Sequence, residues 1–426
     1  MLSSFDDVAI IGGGVAGLAT ALALHGLSIK CSVYEMRETN AAPPTSSGAL
    51  TLSPNSLRIL DRFGVYSRIE EISYAFDYVY YKNADEQTID RYPFGGTSAF
   101  GYQALRIYRQ DLLDILYTAC SERKIPIHFG KRLTEVIDES DNHVAFKFAD
   151  GTTNTASLLI GSDGIHSKVR DYVASGVEKI FTGLGGLTWE LPTKQLRIPE
   201  EKDYKFPVII LTTNGGFILA PQKNNGSAMF AGTQIPLEDR DREGWSKFLA
   251  DKEGLVKLVT KNIEVWPDVA KSGMENINHE TMNVWPFYKI PRLPHWTSQK
   301  NHRVVILGDA AHAIPPTTGQ GASSALEDVM SLALVLSALK KNMGLRWEDA
   351  LIFWQKMRQD RIDDLLVLTN QLNNKRLPLE KQNLLAKDDL WVDESSTNPS
   401  QMAWLYAPKI DEVVNAWAGE AASKAA

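Results

Sequence analysis

The feature that most constrains the fold is a glycine-rich turn near the start of the chain, enclosed by two apolar segments. Val8–Ile11 is a short run rich in β-branched residues, which is the pattern of a strand buried on both faces. The sequence GGGVAG over Gly12–Gly17 follows at once, and apolar residues then recur at helical spacing up to Gly26, a candidate helix cap. Ile29–Tyr34 is predicted to be a second strand that ends beside Glu35. The segment therefore predicts a β-α-β unit with a tight turn after its first strand.

The chemistry of this unit fits a dinucleotide. Gly12 permits the tight turn, Gly14 lets the backbone approach a pyrophosphate, and Gly17 lets the helix touch the strand. The helix N-terminus presents unpaired N–H groups and a positive dipole end to the phosphates. Glu35 can accept hydrogen bonds from both ribose hydroxyls and would repel a 2′-phosphate, which favours the adenosine of FAD or NAD over that of NADP. The alternative is a tight turn without a ligand, and the acid after the second strand is evidence against it.

The composition is that of a soluble globular protein, with 426 residues, of which 44% are hydrophobic and 23% charged. This length allows two or three domains with a large core. The net charge of −7 and the lack of a basic region argue against nucleic-acid binding. We expect the two cysteines, Cys31 and Cys120, to be buried thiols rather than a disulfide, and their positions lack metal-ligand spacing. No metal site is therefore predicted.

The sequence predicts a cytoplasmic protein without a membrane anchor. The first strand begins within a few residues of the N-terminus and leaves no room for a signal peptide. The longest mostly apolar run, Val329–Leu339, is too short to span a bilayer.

The order of the predicted elements indicates a discontinuous nucleotide-binding domain with an insertion. Buried-strand patterns occur at the start, near Leu159 and near Ile306, and antiparallel-looking segments lie between them. Ala75–Tyr81 and Thr88–Tyr92 are predicted to be strands of the inserted sheet. The expected boundaries are 1–73, 100–178 and 296–378 for the nucleotide-binding domain, 74–99 and 179–295 for the substrate-binding sheet, and 379–426 for a helical tail anchored at Trp404–Tyr406.

Two further motifs stand later in the chain. They are LLIGSDGIHSKVR at 158–170 and RVVILGDAAHAIPPTTGQGASSALEDV at 303–329. Together with the glycine motif and Glu35, they resemble the class A, single-component flavoprotein monooxygenases, the para-hydroxybenzoate hydroxylase-like family. The resemblance covers about Val8–Leu372, and the tail around Trp404 resembles fungal salicylate hydroxylase-like members. It implies an α/β fold: a Rossmann-like, discontinuous FAD-binding domain of the GR2 type, an inserted β-sheet substrate domain and a helical C-terminal segment.

The third motif has a direct chemical interpretation in this setting. A strand that ends in Gly308-Asp309 places a carboxylate at the sheet edge, where it can accept hydrogen bonds from ribityl hydroxyls. Gly319 and Gly321 allow backbone to lie against a planar ring. The helix that begins near Ala322 aims its N-terminus at the flavin atoms where negative charge collects on reduction. The alternative for Asp309 is an ordinary turn or cap residue, and His312 is left open between packing, hydrogen bonding and catalysis.

The resemblance extends to residues outside this motif. It gives Asp163 a place near the FAD pyrophosphate and the nicotinamide cofactor, with a β-turn aspartate before Gly164 as the alternative. Arg170 is expected to hold this loop through an ion pair. Gly48 and Arg109 are implied FAD contacts, and an exposed arginine is the alternative for the latter. With these, the predicted FAD-binding residues are Gly12, Gly14, Val15, Ala16, Gly17, Glu35, Gly48, Arg109, Asp163, Asp309, Gly319, Gly321 and Ala322.

The resemblance also implies a reaction. NAD(P)H reduces FAD, O2 adds to give a flavin C4a-hydroperoxide, and its distal oxygen passes to an electron-rich carbon of an aromatic or alkaloid-like metabolite. Phenols, indoles and activated alkenes are the implied substrates, through hydroxylation or epoxidation. The reductant is expected to bind only transiently, because the sequence has no second GxGxxG motif. A monomer or a homodimer is expected. The alternatives are a flavin oxidase or dehydrogenase of the same fold and a non-catalytic FAD-binding redox sensor.

Aromatic residues of the inserted sheet are candidates for a substrate pocket, with core packing as the alternative for each: Trp189, Phe217, Trp285, Phe287 and Tyr288. Some fungal relatives of the family use an arginine and a tyrosine in this sheet. The corresponding stretches, Thr188–Leu191 and Gly216–Leu219, contain Trp189-Glu190 and Phe217 instead. This departure argues against phenol deprotonation by such a pair, and no catalytic side chain is assigned.

Overall fold

A computed structural model of the chain describes residues 5–40, 48–341, 344–377, 379–394, 398 and 400–425. Strands dominate the middle of the chain and helices its end. The strands are β1 (Asp7–Ile11), β2 (Lys30–Tyr34), β3 (Ala49–Leu52), β4 (Tyr74–Phe76), β5 (Tyr78–Lys82), β6 (Thr88–Pro93), β7 (Ala104–Tyr108), β8 (Ile127–His128), β9 (Leu133–Glu139), β10 (Val144–Phe148), β11 (Thr153–Ala156), β12 (Leu158–Gly161), β13 (Ile180–Pro192), β14 (Val208–Thr212), β15 (Gly215–Pro221), β16 (Ala228–Pro236), β17 (Asn283–Lys289) and β18 (Val304–Ile306). The α-helices are α1 (Val15–Gly26), α2 (Pro54–Arg62), α3 (Tyr66–Ile72), α4 (Thr97–Phe100), α5 (Arg109–Glu122), α6 (Lys168–Val173), α7 (Arg242–Ala250), α8 (Lys252–Val259), α9 (Asp268–Met274), α10 (Asp309–His312), α11 (Gly321–Lys341), α12 (Trp347–Asn374), α13 (Leu379–Gln382), α14 (Ala403–Tyr406) and α15 (Ile410–Ala425).

The first sheet is the predicted Rossmann-like unit, and it confirms the α/β fold. Its strands are all parallel, in the order β18-β12-β1-β2-β8. The central strand β1 places Ile10 between Val33 and Ile160, and all three side chains are buried. Because parallel strands end at the same edge of a sheet, the loops after β1, β12 and β18 meet there although they are far apart in sequence.

A larger, seven-stranded sheet contains strands from both parts of the predicted substrate-binding sheet, 74–99 and 179–295. Its order is β17-β13-β16-β15-β14-β5-β6, and only the β14–β5 pairing is parallel. The predicted single strand Ala75–Tyr81 is wrong, because β4 pairs with β7 in a separate three-stranded sheet and only β5 joins the larger sheet. Between them, the carbonyl oxygen of Asp77 accepts the N–H groups of Phe94 and Gly95, so the chain changes sheets at this residue.

Helix α11 forms the centre of the helical layer. Its length and composition would allow it to cross a membrane, since it extends beyond the apolar run Val329–Leu339 in both directions. In the fold, 72% of its most apolar window is buried, and it packs against α1, α2, α12 and α15. A buried helix of this kind belongs to a protein core.

Both cysteines are buried and free, as expected. Burial raises the pKa of the Cys31 thiol and that of the Cys120 thiol to about 12. Neither thiol is therefore a thiolate at neutral pH, and both are packing residues.

The predicted anchor in the tail is confirmed for Leu405 and Tyr406, which are buried, while Trp404 is partly exposed. The Tyr406 hydroxyl donates to the carbonyl oxygen of Pro93 at 3.0 Å. Its ring lies edge-on to Phe100, with 5.2 Å between ring centroids. The tail thus closes an aromatic cluster at the edge of the larger sheet.

We expect the ring of Tyr406, more than its hydroxyl, to hold the tail. Tyr406→Phe loses the hydrogen bonds with the Pro93 carbonyl oxygen and the Tyr92 hydroxyl, which costs about 1–2 kcal/mol of unfolding free energy. Tyr406→Ala also removes the buried ring, at a cost of about 3–5 kcal/mol. Urea unfolding followed by tryptophan fluorescence measures both. Equal losses for the two variants would contradict this interpretation.

Candidate functional site

The three glycines of the first motif occupy different environments. Gly12 has a φ of +105°, a left-handed conformation that favours glycine, and turns the chain from β1 into α1. A Cβ added at Gly17 would overlap the carbonyl oxygen of Gly12, so the helix can approach the strand only without a side chain. A Cβ added at Gly14 would meet no heavy atom within 4 Å. The turn therefore leaves open space against a helix N-terminus, where Val15 and Ala16 begin α1 and a phosphate group would fit.

Glu35 lies buried at the end of β2, as the sequence predicted. Its Oε2 accepts the Gly13 N–H at 2.6 Å, and its Oε1 accepts the backbone N–H and the Nε of Arg37 at 2.9 and 3.0 Å. A carboxylate has about four acceptor positions, so roughly one is left for a ribose hydroxyl. A second hydroxyl would require the Arg37 side chain to turn away, and that side chain is 29% exposed.

Asp163 follows β12 with one oxygen paired and the other unpaired. Its Oδ2 accepts the N–H groups of Lys168 and Val169 at 2.7 and 3.3 Å. Its Oδ1 is buried without a hydrogen-bond partner among the residues that the structure describes. Burial raises the pKa of this carboxyl, although the Ser167 hydroxyl and the two N–H groups oppose the rise. The arrangement suits an additional donor bound at this loop.

Arg170 links the second motif to the third. The prediction of an ion pair for Arg170 is wrong within the described part of the chain. Its guanidinium is buried and donates to the carbonyl oxygens of Ala310 and Ile165, at 3.1 and 2.8 Å. Backbone carbonyls thus take the place of a carboxylate, and the loops after β12 and β18 are held together.

Asp163→Asn is expected to stabilise the cofactor-free protein at neutral pH, where the buried carboxyl has to be ionised. Because the folded state raises the pKa of this carboxyl, the carboxyl favours folding at acid pH, and that contribution is lost as the pH rises through the raised value. Asparagine keeps an acceptor for Lys168 and Val169 and does not ionise. Thermal unfolding from about pH 4 to about pH 8 should show an advantage of the variant that grows with pH. A constant difference across this range would contradict the assignment.

The third motif places Asp309 at the same sheet edge. Gly308 has a φ of +61° and turns the chain from β18 into α10. Asp309 is exposed, and no side-chain partner is found for it among the described residues. A Cβ added at Gly321 would lie 4.0 Å from its Oδ1, so the carboxylate sits beside the start of α11, at Gly321 and Ala322. Gly319 has a φ of +63°, which a side chain would strain.

Gly48 and Arg109 lie next to each other, since the Arg109 N–H donates to the Gly48 carbonyl oxygen at 2.9 Å. The Arg109 guanidinium is exposed at the start of α5. On its other side, Gly48 faces the Trp285 ring, which a Cβ added at Gly48 would meet at 3.4 Å. Gly48 therefore connects the Arg109 backbone to the larger sheet, and the FAD contacts of both residues stay predictions.

Sequence reasoning missed a cluster of ionisable side chains behind the third motif, all of them buried except the partly exposed Arg361. We call it the buried charge cluster: His312, Glu327, Asp328, Arg358 and Arg361. Asp328 Oδ2 lies 2.5 Å from His312 Nε2 and accepts the Gly308 N–H at 2.9 Å, while Oδ1 accepts Arg358 Nε at 2.7 Å. His312 is therefore a buried hydrogen-bonding residue that supports the turn at Gly308. The signal in the sequence was the adjacent acids Glu327 and Asp328 within an apolar helix.

The other half of the buried charge cluster holds Glu327. Its carboxylate accepts from Arg358, from Arg361 Nε and Nη2 at 2.8 Å each, and from Asn55 Nδ2 at 2.7 Å. Burial opposes ionisation, but Arg358 and Arg361 outweigh it and hold the pKa of Glu327 below its usual value. Arg361 also donates to the Trp404 carbonyl oxygen at 2.6 Å. The cluster thus ties the helix beside the site to the tail.

A small cavity lies between Gly48 and the larger sheet, with a volume of about 10 Å³, which is room for about one water molecule. Its lining residues are Gly48, Thr188, Trp189, Glu190, Gln222, Phe230, Thr281 and Trp285. Of the aromatic candidates, Trp189 and Trp285 line it. Phe217 is instead fully buried in the core between the larger sheet and α9, Phe287 is buried, and Tyr288 pairs with Asp239 at 2.5 Å. Glu190, Gln222 and Phe230 were not predicted as lining residues.

Comparison with known proteins gives consistent results. Residues 6–347 match the family described as FAD binding domain. Salicylate hydroxylase from Pseudomonas putida is 28% identical over 360 residues, covering 79% of this chain and 78% of that protein. The 6-hydroxynicotinate 3-monooxygenase of Bordetella bronchiseptica is 26% identical over 358 residues, covering 80% of this chain and 84% of that protein.

Solved structures share the fold over nearly the whole chain. The complex of CtdE with FAD and a substrate has a TM-score of 0.76 at 20% identity, covering 98% of this chain and 99% of that one. A substrate complex of salicylate hydroxylase has a TM-score of 0.74 at 21% identity, covering 96% and 97%. With the sheet edge and its three motifs, these matches show that the chain belongs to the FAD binding domain family, as a class A, salicylate hydroxylase-like FAD-dependent monooxygenase.

Proposed function

We propose that FAD lies along the edge where β1, β12 and β18 end. Glu35 binds the adenosine ribose, the N–H groups at the start of α1 bind the pyrophosphate, and Asp309 accepts hydrogen bonds from the ribityl chain. The support is the open space at Gly14 and the unpaired, buried oxygen of Asp163. Both are features that a bound polar group would complete.

At the end of the site near α11, the protein provides a positive electrostatic environment. Bound FAD supplies the redox chemistry of the reaction. The N-terminus of α11, at Gly321 and Ala322, presents a positive dipole end that stabilises negative charge on a ring placed beside it. Gly319 and Gly48 let the backbone lie close to two aromatic rings, since an added Cβ would come within 2.9 Å of Phe94 or 3.4 Å of Trp285. Trp285, packed against Gly48, limits the access of water to that space.

We infer that the enzyme uses NAD(P)H and O2 to hydroxylate or epoxidise an electron-rich aromatic, indole or alkene metabolite. The inference is supported by the family match and by Trp189, Phe230 and Trp285, the aromatic side chains that line the water-sized cavity beside Gly48. The named relatives act on small aromatic rings, salicylate and 6-hydroxynicotinate. The reductant binds transiently, and the enzyme works in the cytoplasm as a monomer or a homodimer.

Labelled oxygen tests this proposal. The FAD-loaded protein is supplied with NADH or NADPH and a panel of phenols, indoles and alkenes under ¹⁸O2. We expect a substrate to stimulate NAD(P)H consumption and the product to carry ¹⁸O, while the same reaction in H2¹⁸O gives no label. Substrate oxidation without ¹⁸O would favour the oxidase or dehydrogenase alternative. Bound FAD that never turns over would favour the redox sensor.

A further inference from the structure

The cavity beside Gly48 contains a buried amide whose orientation is fixed by its neighbour. Gln222 is 1% exposed, and its Oε1 accepts Arg106 Nε at 2.9 Å. A guanidinium has only donors, so the carbonyl oxygen of the amide has to face Arg106. The Nε2 on the other side is buried and has no partner among the described residues. Gln222 therefore presents hydrogen-bond donors to the cavity that it lines.

Arg106 acts as a positioning residue for this amide. It is buried on β7, with its guanidinium 4.8 Å from the centroid of the Phe230 ring and 3.4 Å from Thr51 Oγ1. No ion pair of Arg106 occurs within the described ranges of the chain. Burial lowers its pKa to about 10, so it remains a cation at neutral pH. A charge without a carboxylate partner is costly, and here the Gln222 carbonyl oxygen offsets part of that cost.

Glu190 provides the opposite kind of group in the same cavity. Its Oε2 accepts the Tyr108 hydroxyl at 2.6 Å, which fixes the carboxylate. No hydrogen bond to its Oε1 is found within the described part of the protein. The carboxylate can accept an N–H or O–H of a bound molecule and repels an anion. The cavity thus combines an amide donor with a negatively charged acceptor.

We propose that Gln222 and Glu190 form a donor–acceptor subsite for a neutral substrate that carries a ring carbonyl beside an N–H, as in an aromatic lactam. The carbonyl accepts from Gln222 Nε2, and the N–H donates to Glu190. The assignment rests on the proposed function, since it takes the cavity as the part of the substrate pocket that receives the polar edge of the ring. The cavity has room for about one water molecule, which this edge would displace. Salicylate and 6-hydroxynicotinate, the substrates named for two relatives, are carboxylates. Glu190 disfavours a carboxylate at this polar edge, and the Arg106 cation is turned toward the Gln222 carbonyl oxygen rather than toward a ligand, so we expect this chain to prefer a neutral substrate over such anions.

Three probes of equal ring size test the subsite in the FAD-loaded full chain: 2-quinolone, 1-methyl-2-quinolone and 2-naphthoate. Dissociation constants come from the change in flavin absorbance and from calorimetry. We expect the unmodified protein to bind 2-quinolone about tenfold more tightly than either other probe, and Gln222→Leu or Gln222→Met to lose about tenfold of that affinity. Glu190→Gln should reduce the difference in affinity between the two quinolones and should increase the affinity for 2-naphthoate. Gln234→Leu, on β16 outside the cavity lining, serves as the matched control and should change nothing.

The proposal is overturned if the unmodified protein binds none of the probes, prefers 2-naphthoate or does not distinguish the quinolones. It is also overturned if both folded Gln222 variants, checked by FAD content and melting temperature, bind 2-quinolone as tightly as the unmodified protein. Failure of the subsite is distinct from failure of the proposed function. If only the subsite is wrong, the enzyme still incorporates ¹⁸O into another substrate. If the proposed function is wrong, no substrate gains ¹⁸O, but the affinities for the three probes can still be measured.

Discussion

Arg358→Met is expected to destabilise the protein by about 3–5 kcal/mol, because it leaves two buried carboxylates without their shared cation. Arg358 is 1% exposed, and it donates to Glu327 and, at 2.7 Å, to Asp328. Methionine fills much of the same volume as arginine, so the loss of stability comes more from the missing charge than from poorer packing. Asp328 also stabilises the turn at Gly308, because it accepts the Gly308 N–H at 2.9 Å. This turn positions Asp309, which we assign to FAD binding, so the variant should also retain less FAD during purification.

The pH dependence separates this mechanism from a packing defect. Arg358 helps to hold the pKa of Glu327 and that of Asp328 below their usual values against the opposing effect of burial. In the unmodified protein, this contribution to stability is present above the ordinary carboxyl pKa of about 4 and is lost as the pH falls through the lowered values. Without Arg358, both pKa values rise, because burial is then opposed mainly by Arg361 at Glu327 and by His312 at Asp328. The destabilisation should then be largest near neutral pH and smaller near about pH 5, where the carboxyls take up protons.

Urea unfolding at the two pH values measures the effect, with Arg292→Met as the matched control. Arg292 pairs at 2.8 Å with Asp363, which lies on the same helix as Arg358, but the Arg292 side chain is 67% exposed. An exposed pair contributes about 0–1 kcal/mol, so the control should lose little at either pH. If Arg358→Met loses no more than the control, the buried charge cluster does not hold the helix beside the site.

Local motifs made much of the fold predictable, because each carries its own geometry. The left-handed φ at Gly12 and the close approach at Gly17 follow from glycines at fixed spacing after a buried strand. The convergence of three distant motifs at one sheet edge follows from the rule that parallel strands end together. Asp163 and Asp309 were placed correctly at the ends of β12 and β18 for this reason.

What the sequence did not reveal depends on contacts between residues far apart in the chain. Neither the pairing of Arg358 with Glu327 nor that of Arg106 with Gln222 has a local pattern, since the partners lie on different elements. The change of sheet at Asp77 was missed because aromatic residues stand on both sides of this aspartate, a residue type that disfavours strands, and propensity does not say which sheet a strand joins. The substrate cavity was therefore the least predictable part of the site.

Gly14→Val is expected to lower the affinity for FAD about 100-fold, or roughly 2.7 kcal/mol, without unfolding the cofactor-free protein. Gly14 has a φ of −81° and a ψ of −174°, an extended conformation that valine adopts readily. A Cβ at this position meets no protein atom within 4 Å, so the apoprotein loses no more than about 1 kcal/mol at the helix cap. The space that the side chain would enter is the one we assign to the pyrophosphate.

Two other glycines make the result specific. Gly26 ends the same helix with no atom within 4 Å of an added Cβ, so Gly26→Val should leave FAD binding unchanged. Gly17→Ala forces a Cβ onto the Gly12 carbonyl oxygen, so it should damage the apoprotein and FAD binding together. Fluorescence titration of the apoprotein with FAD and thermal unfolding followed by circular dichroism distinguish these patterns. Wild-type FAD affinity in a folded Gly14→Val protein would mean that the cofactor does not lie against this turn.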